Sequence, residues 1–166
     1  ISDGGIQEEI SQGGARVASM LGLDNLIMFY DSNDIQLSTE TREVMNEDTA
    51  AKYRALGWEV FEICGNDAVQ IREALDKALA VKGKPSLIIG KCIMGKGALK
   101  ADGSSYEASC KTHGAPLGGD AFVNTVKHLG GDPEQPFAIF PEVAELYAQR
   151  REELKGKLGV FWHTQG

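Results

Sequence analysis

Residues 58–92 read WEVFEICGNDAVQIREALDKALAVKGKPSLIIGKC, and this stretch decides the fold. Trp58 to Ile63 has the character of a short strand. Asn66 or Asp67 can cap a helix that carries Ala68, Ile71, Leu75, Ala78 and Leu79 on one face, with Gly83 and Pro85 just beyond its end. Ser86 to Cys92 then supplies another strand, with Leu-Ile-Ile at its heart. Strand, capped helix and strand in succession make a βαβ unit, so the expectation is an α/β protein: a partial doubly wound parallel sheet flanked by helices.

The same alternation extends towards the start of the chain. Apolar residues at Ile6, Ile10, Val17 and Leu21 predict one helix from about Ile6 to Leu21 with those four in one stripe along it, a face expected to lack its native cover in this chain. Gly13 and Gly14 lie inside it, which reads either as close packing of another backbone or as a local kink. Asn25 to Asp31 encloses a near-continuous apolar run, as in a strand buried on both faces. Thr49 to Leu56 can form a short helix closed by Gly57. Beyond Cys92 the periodicity stops. Six glycines fall between Gly95 and Gly119, marking a long loop whose backbone approaches something closely. A helix from about Asp120 to Leu129 follows. An irregular piece from Pro133 to Pro141 leads to a last helix over Glu142 to Lys157, with Val143, Leu146, Tyr147 and Leu154 inward and Glu153 set for Lys157.

Composition narrows the function classes. The chain has 166 residues with 42% hydrophobic and 25% charged side chains, which is ordinary for a folded domain. Its longest apolar run, Leu26 to Tyr30, is far short of a membrane span, so no membrane is expected as partner. Seventeen Lys and Arg against 24 Asp and Glu give a formal charge of −7, which argues against nucleic acid as a partner. Cys64, Cys92 and Cys110 are odd in number and lack metal-ligand spacing. They predict free thiols in a reducing compartment, hence a cytoplasmic location. No base stands near any of them in the sequence, which argues against thiol catalysis.

Chemistry enters at Ser2-Asp3-Gly4-Gly5, directly before a helix. Glycines there let backbone amides face outward, and a helix start favours a phosphate. A carboxylate in the same place requires a divalent cation between two anions. Asp-Gly-Gly is also a common turn, and that reading stands beside the first. Asn33 follows Asp3 by 30 residues, after one helix and one strand, so the two can face one cavity. With a backbone carbonyl they would make an all-oxygen Mg²⁺ site. Lys91, Lys96, Lys100 and Lys111 could attract sugar phosphates or be plain solvated lysines. His128 falls late in a helix, where its charge suits the dipole, and Trp58 reads as core.

Asp3-Gly4, the spacing to Asn33, Tyr30-Asp-Ser-Asn-Asp-Ile35, Tyr53 through Gly57-Trp58-Glu-Val60, Lys84-Pro-Ser-Leu-Ile88 and Thr112-His-Gly-Ala-Pro-Leu-Gly118 together resemble the thiamin diphosphate-binding domain of transketolase. The resemblance spans 1–157, as the C-terminal part of such a domain, and leaves 158–166 as an unassigned tail. It implies a thiamin diphosphate-binding fold. It also implies transfer of a two-carbon ketol unit between sugar phosphates, with thiamin diphosphate and Mg²⁺ (or Ca²⁺) as cofactors. By the same resemblance Asp3 and Asn33 bind the metal through side-chain oxygens and Ile35 through its carbonyl. Gly4 offers an amide to the diphosphate, Glu8 joins a network between cofactor sites across a homodimer, and His113 lies near the diphosphate and the reacting centre. Two positions depart from the family pattern: Ser2 stands where the first glycine of the metal motif belongs, and Glu9 where many relatives have glycine.

Only Ile1 and Ser2 precede Asp3, and the first residue is not Met, so the chain reads as processed, excised or partial, with the strand that delivers Asp3 lying outside it. The glutamate that activates the cofactor belongs to another domain in that family, so the expectation for this chain alone is no turnover. The orphaned strand edge predicts self-association, most simply as a two-fold dimer. Two other readings stay open: another thiamin diphosphate enzyme resembling deoxyxylulose phosphate synthase, against which the His113 hexapeptide speaks, and a non-catalytic folded fragment or interaction module.

Overall fold

The computed structural model describes residues 1–156. Six helices and three strands alternate: α1 (Asp3–Gln7), α2 (Glu9–Met20), β1 (Ile27–Ser32), α3 (Thr49–Ala55), β2 (Glu59–Cys64), α4 (Ala68–Ala80), β3 (Ser86–Lys91), α5 (Gly119–His128) and α6 (Pro141–Glu153). The strands form one parallel sheet in the order β1-β3-β2. One face carries a core of Ile6, Ala15 and Ala18 from α1 and α2, Ala50 and Tyr53 from α3, and Tyr30, Trp58, Val60 and Leu87. The other face packs Ile88, Phe29, Phe61 and Ile63 under Ala74 and Ala78 of α4. Helices therefore cover both faces, as the βαβ pattern requires.

The expected strands and the helices at 49–56, 68–80 and 119–128 are all present within a residue or two. Asp67 supplies the cap of α4, its carboxylate accepting from the amides of Val69 and Gln70. These amides hold the Asp67 carboxyl below the usual aspartate range. Gly57 ends α3 at φ 91°, and a Cβ there would also strike the Ser19 hydroxyl at 2.5 Å. The tight approach of α2 to this turn leaves no room for a side chain.

Four expectations need correction. The single helix over Ile6 to Leu21 is two helices, starting at Asp3 and broken at Glu8, where ψ is 135°. Side chains support the break: the Gln12 side-chain amide donates to the Ile6 carbonyl, and the Ser11 hydroxyl donates to the Gly5 carbonyl, which also accepts from the Glu8 amide. Along the apolar stripe Ile6 is buried, whereas Ile10 is 82% exposed and Val17 and Leu21 are exposed as well, the uncovered face expected above. The Trp58 indole donates to the Ala15 carbonyl at 2.9 Å, which holds the α2 backbone close to the core, and Gln12, Ala15 and Ala18 are the residues of α2 buried there. Gly13 and Gly14 have nothing within 4 Å of where a Cβ would stand, so no backbone among the described residues packs on them. In α6 no residue is buried, and Val143, Leu146, Tyr147 and Leu154 are exposed rather than inward. Glu153 pairs with Arg150 at 2.6 Å, while Lys157 and the tail 158–166 lie outside the described residues. The β1 strand, finally, is half-buried over Ile27 to Phe29, because its outer neighbour among the described residues is only Ile1-Ser2. That pair runs parallel to β1: the Asp31 amide donates to the Ile1 carbonyl, and Ser2 bridges Asp31.

Tyr53 and Trp58 meet edge to face, centroids 5.3 Å apart, at the centre of the larger core. The Tyr53 hydroxyl is buried without a partner among the described residues, and burial raises its pKa above the ordinary phenol value. Tyr53→Phe is therefore expected to be neutral or stabilising by up to about 1 kcal/mol, whereas Trp58→Ala should destabilise by about 3–5 kcal/mol. Urea denaturation followed by circular dichroism checks both signs.

Candidate functional site

The C-terminal ends of parallel strands are where doubly wound sheets present their ligand-binding loops, and Asp3, Asn33 and Ile35 come together there. Ser2 caps α1 in the extended region (φ −102°), its hydroxyl accepting from the Gly5 amide at 3.5 Å. The backbone at Ser2 thus needs no glycine, and the serine has a use of its own as a helix cap. Glu9, the other departure, is exposed at the start of α2 and crowds nothing in the core.

Asp3 is 1% exposed. Its Oδ1 accepts from the Tyr30 hydroxyl at 2.8 Å and its Oδ2 from the Asn33 backbone amide at 3.0 Å. Thirty residues of chain thus close on one carboxylate. Asn33 approaches it through the main chain rather than the side chain. Its side-chain oxygen accepts from the Ile35 amide at 3.0 Å, and its NH₂ donates to Asp31 at 3.3 Å. This is an Asx turn, and Asp34 at its centre takes the left-handed conformation, φ 65°. Lys91, at the end of β3, holds the Asp34 carboxylate at 2.6 Å.

Ile35 is buried and pairs antiparallel with Glu40 through bonds made by its neighbours: Gln36 donates to Thr39, and Thr41 to Asp34. In such a pair a residue's own N–H and C=O face away from the partner. The Ile35 N–H accordingly meets Asn33, and the Ile35 carbonyl accepts no hydrogen bond among the described residues.

This donor set fits a hard divalent cation. Asp3, Asn33 and Ile35 offer a carboxylate, an amide oxygen and a free carbonyl, all oxygen. A carboxylate has about four acceptor positions, of which the hydrogen bonds here use two. Asp3 also takes part in no ion pair among the described residues, so its buried charge has no counter-cation from the chain. Gly4 beside it is exposed in the first turn of α1, and a Cβ there would meet nothing within 4 Å. A cleft of ≈ 520 Å³ opens on the same sheet end, walled by Tyr30, Ser32 and Ile89. Asp34, Glu47, Asp48 and Glu62 face it against Arg42 and Lys91. An acidic lining disfavours phosphate, which leaves the exposed Gly4 as the place for an anion.

Glu8 sits at the break between α1 and α2, exposed, its side chain making no cap bond. His113 ends a 3₁₀ turn, Cys110–Thr112, and its Nδ1 is buried without a partner. Thr112 packs on Gly95, and the Cys92 amide donates to Ser32, so the long loop starts at the same sheet end as Asn33. Lys100 lies over the Tyr106 ring at 5.9 Å, and His128 is in the last turn of α5. Sequence reasoning assigned no role to Tyr30 and placed Lys91 among loose loop lysines. Both reveal themselves only through strand pairing, which puts Tyr30 beside Ile89 and Lys91 beside Ser32.

Comparison with known proteins agrees with this geometry. A family model described as transketolase, thiamine diphosphate binding domain, matches residues 1–165. A transketolase of Mycobacterium leprae is 39% identical over 143 residues, covering 86% of this chain and 20% of its own length. Transketolase 2 of Saccharomyces cerevisiae is 35% identical over 164 residues, 98% of this chain and 23% of its own. Among solved structures, transketolase from Pichia stipitis in complex with sedoheptulose-7-phosphate superposes with a TM-score of 0.86 at 31% identity, covering 93% of this chain and 22% of that one. Transketolase from Leishmania mexicana gives 0.85 at 30%, covering 94% and 23%. The chain spans about a fifth of the length of the curated relatives it matches.

The three cysteines are free, with Cys64 exposed and Cys92 and Cys110 half-buried. Burial, and then the neighbouring Asp31 carboxylate, push the Cys92 thiol up from 9.0 to about 11. The shift leaves roughly a hundredfold less thiolate at pH 8 than an unperturbed thiol has, so Cys92 stays neutral until the solution is strongly alkaline. Alkylation with iodoacetamide at pH 8, read by peptide mass spectrometry, should modify Cys64 first and Cys92 last. Cys92 should catch up only as the pH approaches 11.

Proposed function

The chain belongs to the transketolase family through its thiamine diphosphate binding domain, and on that premise we propose that it anchors the diphosphate end of thiamin diphosphate through a divalent cation, Mg²⁺ or Ca²⁺, in a ketol-transferring enzyme. The observation that carries the reading is the buried Asp3 carboxylate, held against Asn33 with no counter-cation from the described chain. In the proposal Asp3 and Asn33 bind the cation through side-chain oxygens and Ile35 through its free carbonyl. The Gly4 amide donates to the diphosphate. His113, with Nδ1 unpartnered, supplies a polar contact near the reacting end, and Glu8, free of local bonds, reaches across a dimer interface. The exposed Ile10, Val17, Met20 and Leu21 of α2 support a homodimer, since apolar side chains on one helix gain from being covered by a partner.

When bound, thiamin diphosphate supplies the carbon nucleophile that takes a two-carbon unit from a ketose phosphate and hands it to an aldose phosphate. This chain's own residues bind and orient: they fix the diphosphate end and keep the cation's ligands in place. The chain covers only about a fifth of the relatives' length, so the isolated chain is proposed to bind without turnover.

Isothermal titration calorimetry tests the reading. Thiamin diphosphate should bind the chain in the presence of Mg²⁺, the heat should vanish with EDTA, and Asp3→Asn should weaken binding at least tenfold without unfolding the chain. Binding indifferent to metal and to Asp3 would overturn the proposal. So would rapid consumption of ketose phosphate by the purified chain, as far as its inactivity alone is concerned.

A further inference from the structure

We infer that Tyr30 is a positioning residue for the cation: its hydroxyl orients the Asp3 carboxylate and thereby favours Mg²⁺ over Ca²⁺. The inference deepens the function proposed above and rests on it.

The tyrosine ring belongs to the main core with Ile6, Ala50, Val60 and Leu87, and the residue is 3% exposed. A phenylalanine would fill that space equally well. What the ring cannot account for is the hydroxyl, which donates to Asp3 Oδ1 at 2.8 Å inside the protein. A carboxylate can only accept, so in this bond the phenol is the donor.

An aspartate's terminal torsion is broad and roughly two-fold, so one hydrogen bond leaves its plane free to swing. Here two donors from different segments take one oxygen each, which fixes the plane. They are not equivalent. The Asn33 amide sits in a loop that turns through the left-handed Asp34. Tyr30 lies inside β1, in register with Ile89 of the central strand, and its ring is locked in the core. Tyr30 therefore ties the ligand to the packed core and the central strand of the sheet.

The chemical consequence depends on the ion. Mg²⁺ demands near-ideal octahedral geometry at about 2.0–2.1 Å, whereas Ca²⁺ accepts longer and more variable contacts. Partners that orient a metal ligand typically contribute about 10–100-fold in metal affinity. Losing the hydroxyl should therefore penalise Mg²⁺ strongly and Ca²⁺ less. A residue that merely supported the fold would affect both ions alike.

The test titrates Mg²⁺ and, separately, Ca²⁺ into the full chain with saturating thiamin diphosphate, for wild type, Tyr30→Phe and Asp3→Asn, below the melting temperature of each. The expected result for Tyr30→Phe is about a 10–100-fold loss of Mg²⁺ affinity, a several-fold smaller loss for Ca²⁺, and a circular dichroism spectrum like wild type. Unchanged Mg²⁺ affinity, or equal losses for both ions, overturns the inference while leaving the proposed function standing. Absence of metal-dependent binding in the wild type overturns both. Should Tyr30→Phe fail to fold, wild type decides the matter. Mg²⁺ addition should perturb the near-ultraviolet tyrosine band as the Asp3 charge is drawn to the cation, and a band that does not respond overturns the inference.

Discussion

One buried carboxylate holds the functional end of this molecule together. Asp3 stands at the first turn of a helix, and the groups that bond it stand at the end of the following strand, so its hydrogen bonds close the crossover that brings those two points together. Charge-assisted bonds of this kind are about twice as strong as neutral ones, and a dry setting strengthens them further. The same dryness makes an uncompensated carboxylate expensive. On the proposed reading, a carboxylate fixed by neutral donors with lone pairs left free is the place where a cation binds. The Asx turn at Asn33 and the free carbonyl of Ile35 extend that preparation by two further oxygens.

The sheet was legible from sequence because its signals are local. Asp67, Gly57 and the Leu-Ile-Ile run of β3 act within a few residues of themselves, and each did what its chemistry dictates. The failures came where a distant contact outweighed a local pattern. The stripe from Ile6 to Leu21 has helical spacing, yet what α2 buries is Gln12, Ala15 and Ala18, where Trp58, far along the chain, bonds to Ala15. The break at Glu8 was invisible because its compensation comes from Ser11 and Gln12, polar residues that look like ordinary helix surface in a linear reading. The α6 helix has apolar residues and no cover among the described residues, which periodicity cannot reveal.

The site divides the same way. The separation of Asp3 and Asn33 followed from a helix returning to a parallel strand, and the structure brings the two residues together. That Asn33 does so through its amide, while its side chain is engaged with Ile35, depends on the left-handed turn at Asp34 and was beyond the reach of spacing. Ser2 looked like a defect in the motif and is instead a helix cap. Tyr30 was in view throughout as part of a recognisable run, but a hydroxyl's partner is a three-dimensional fact.

The central claim is that Asp3, Asn33 and Ile35 converge on one cation. The most direct measurement is a crystal of the chain grown with thiamin diphosphate and Mn²⁺ in place of Mg²⁺, with the ion located by its anomalous scattering. The account predicts a single peak bonded to an Asp3 carboxylate oxygen, the Asn33 side-chain oxygen and the Ile35 carbonyl at about 2.1 Å, near the oxygen distance of an octahedral Mg²⁺ site. A peak elsewhere, with Asp3 still bonded only to Tyr30 and Asn33, would contradict it.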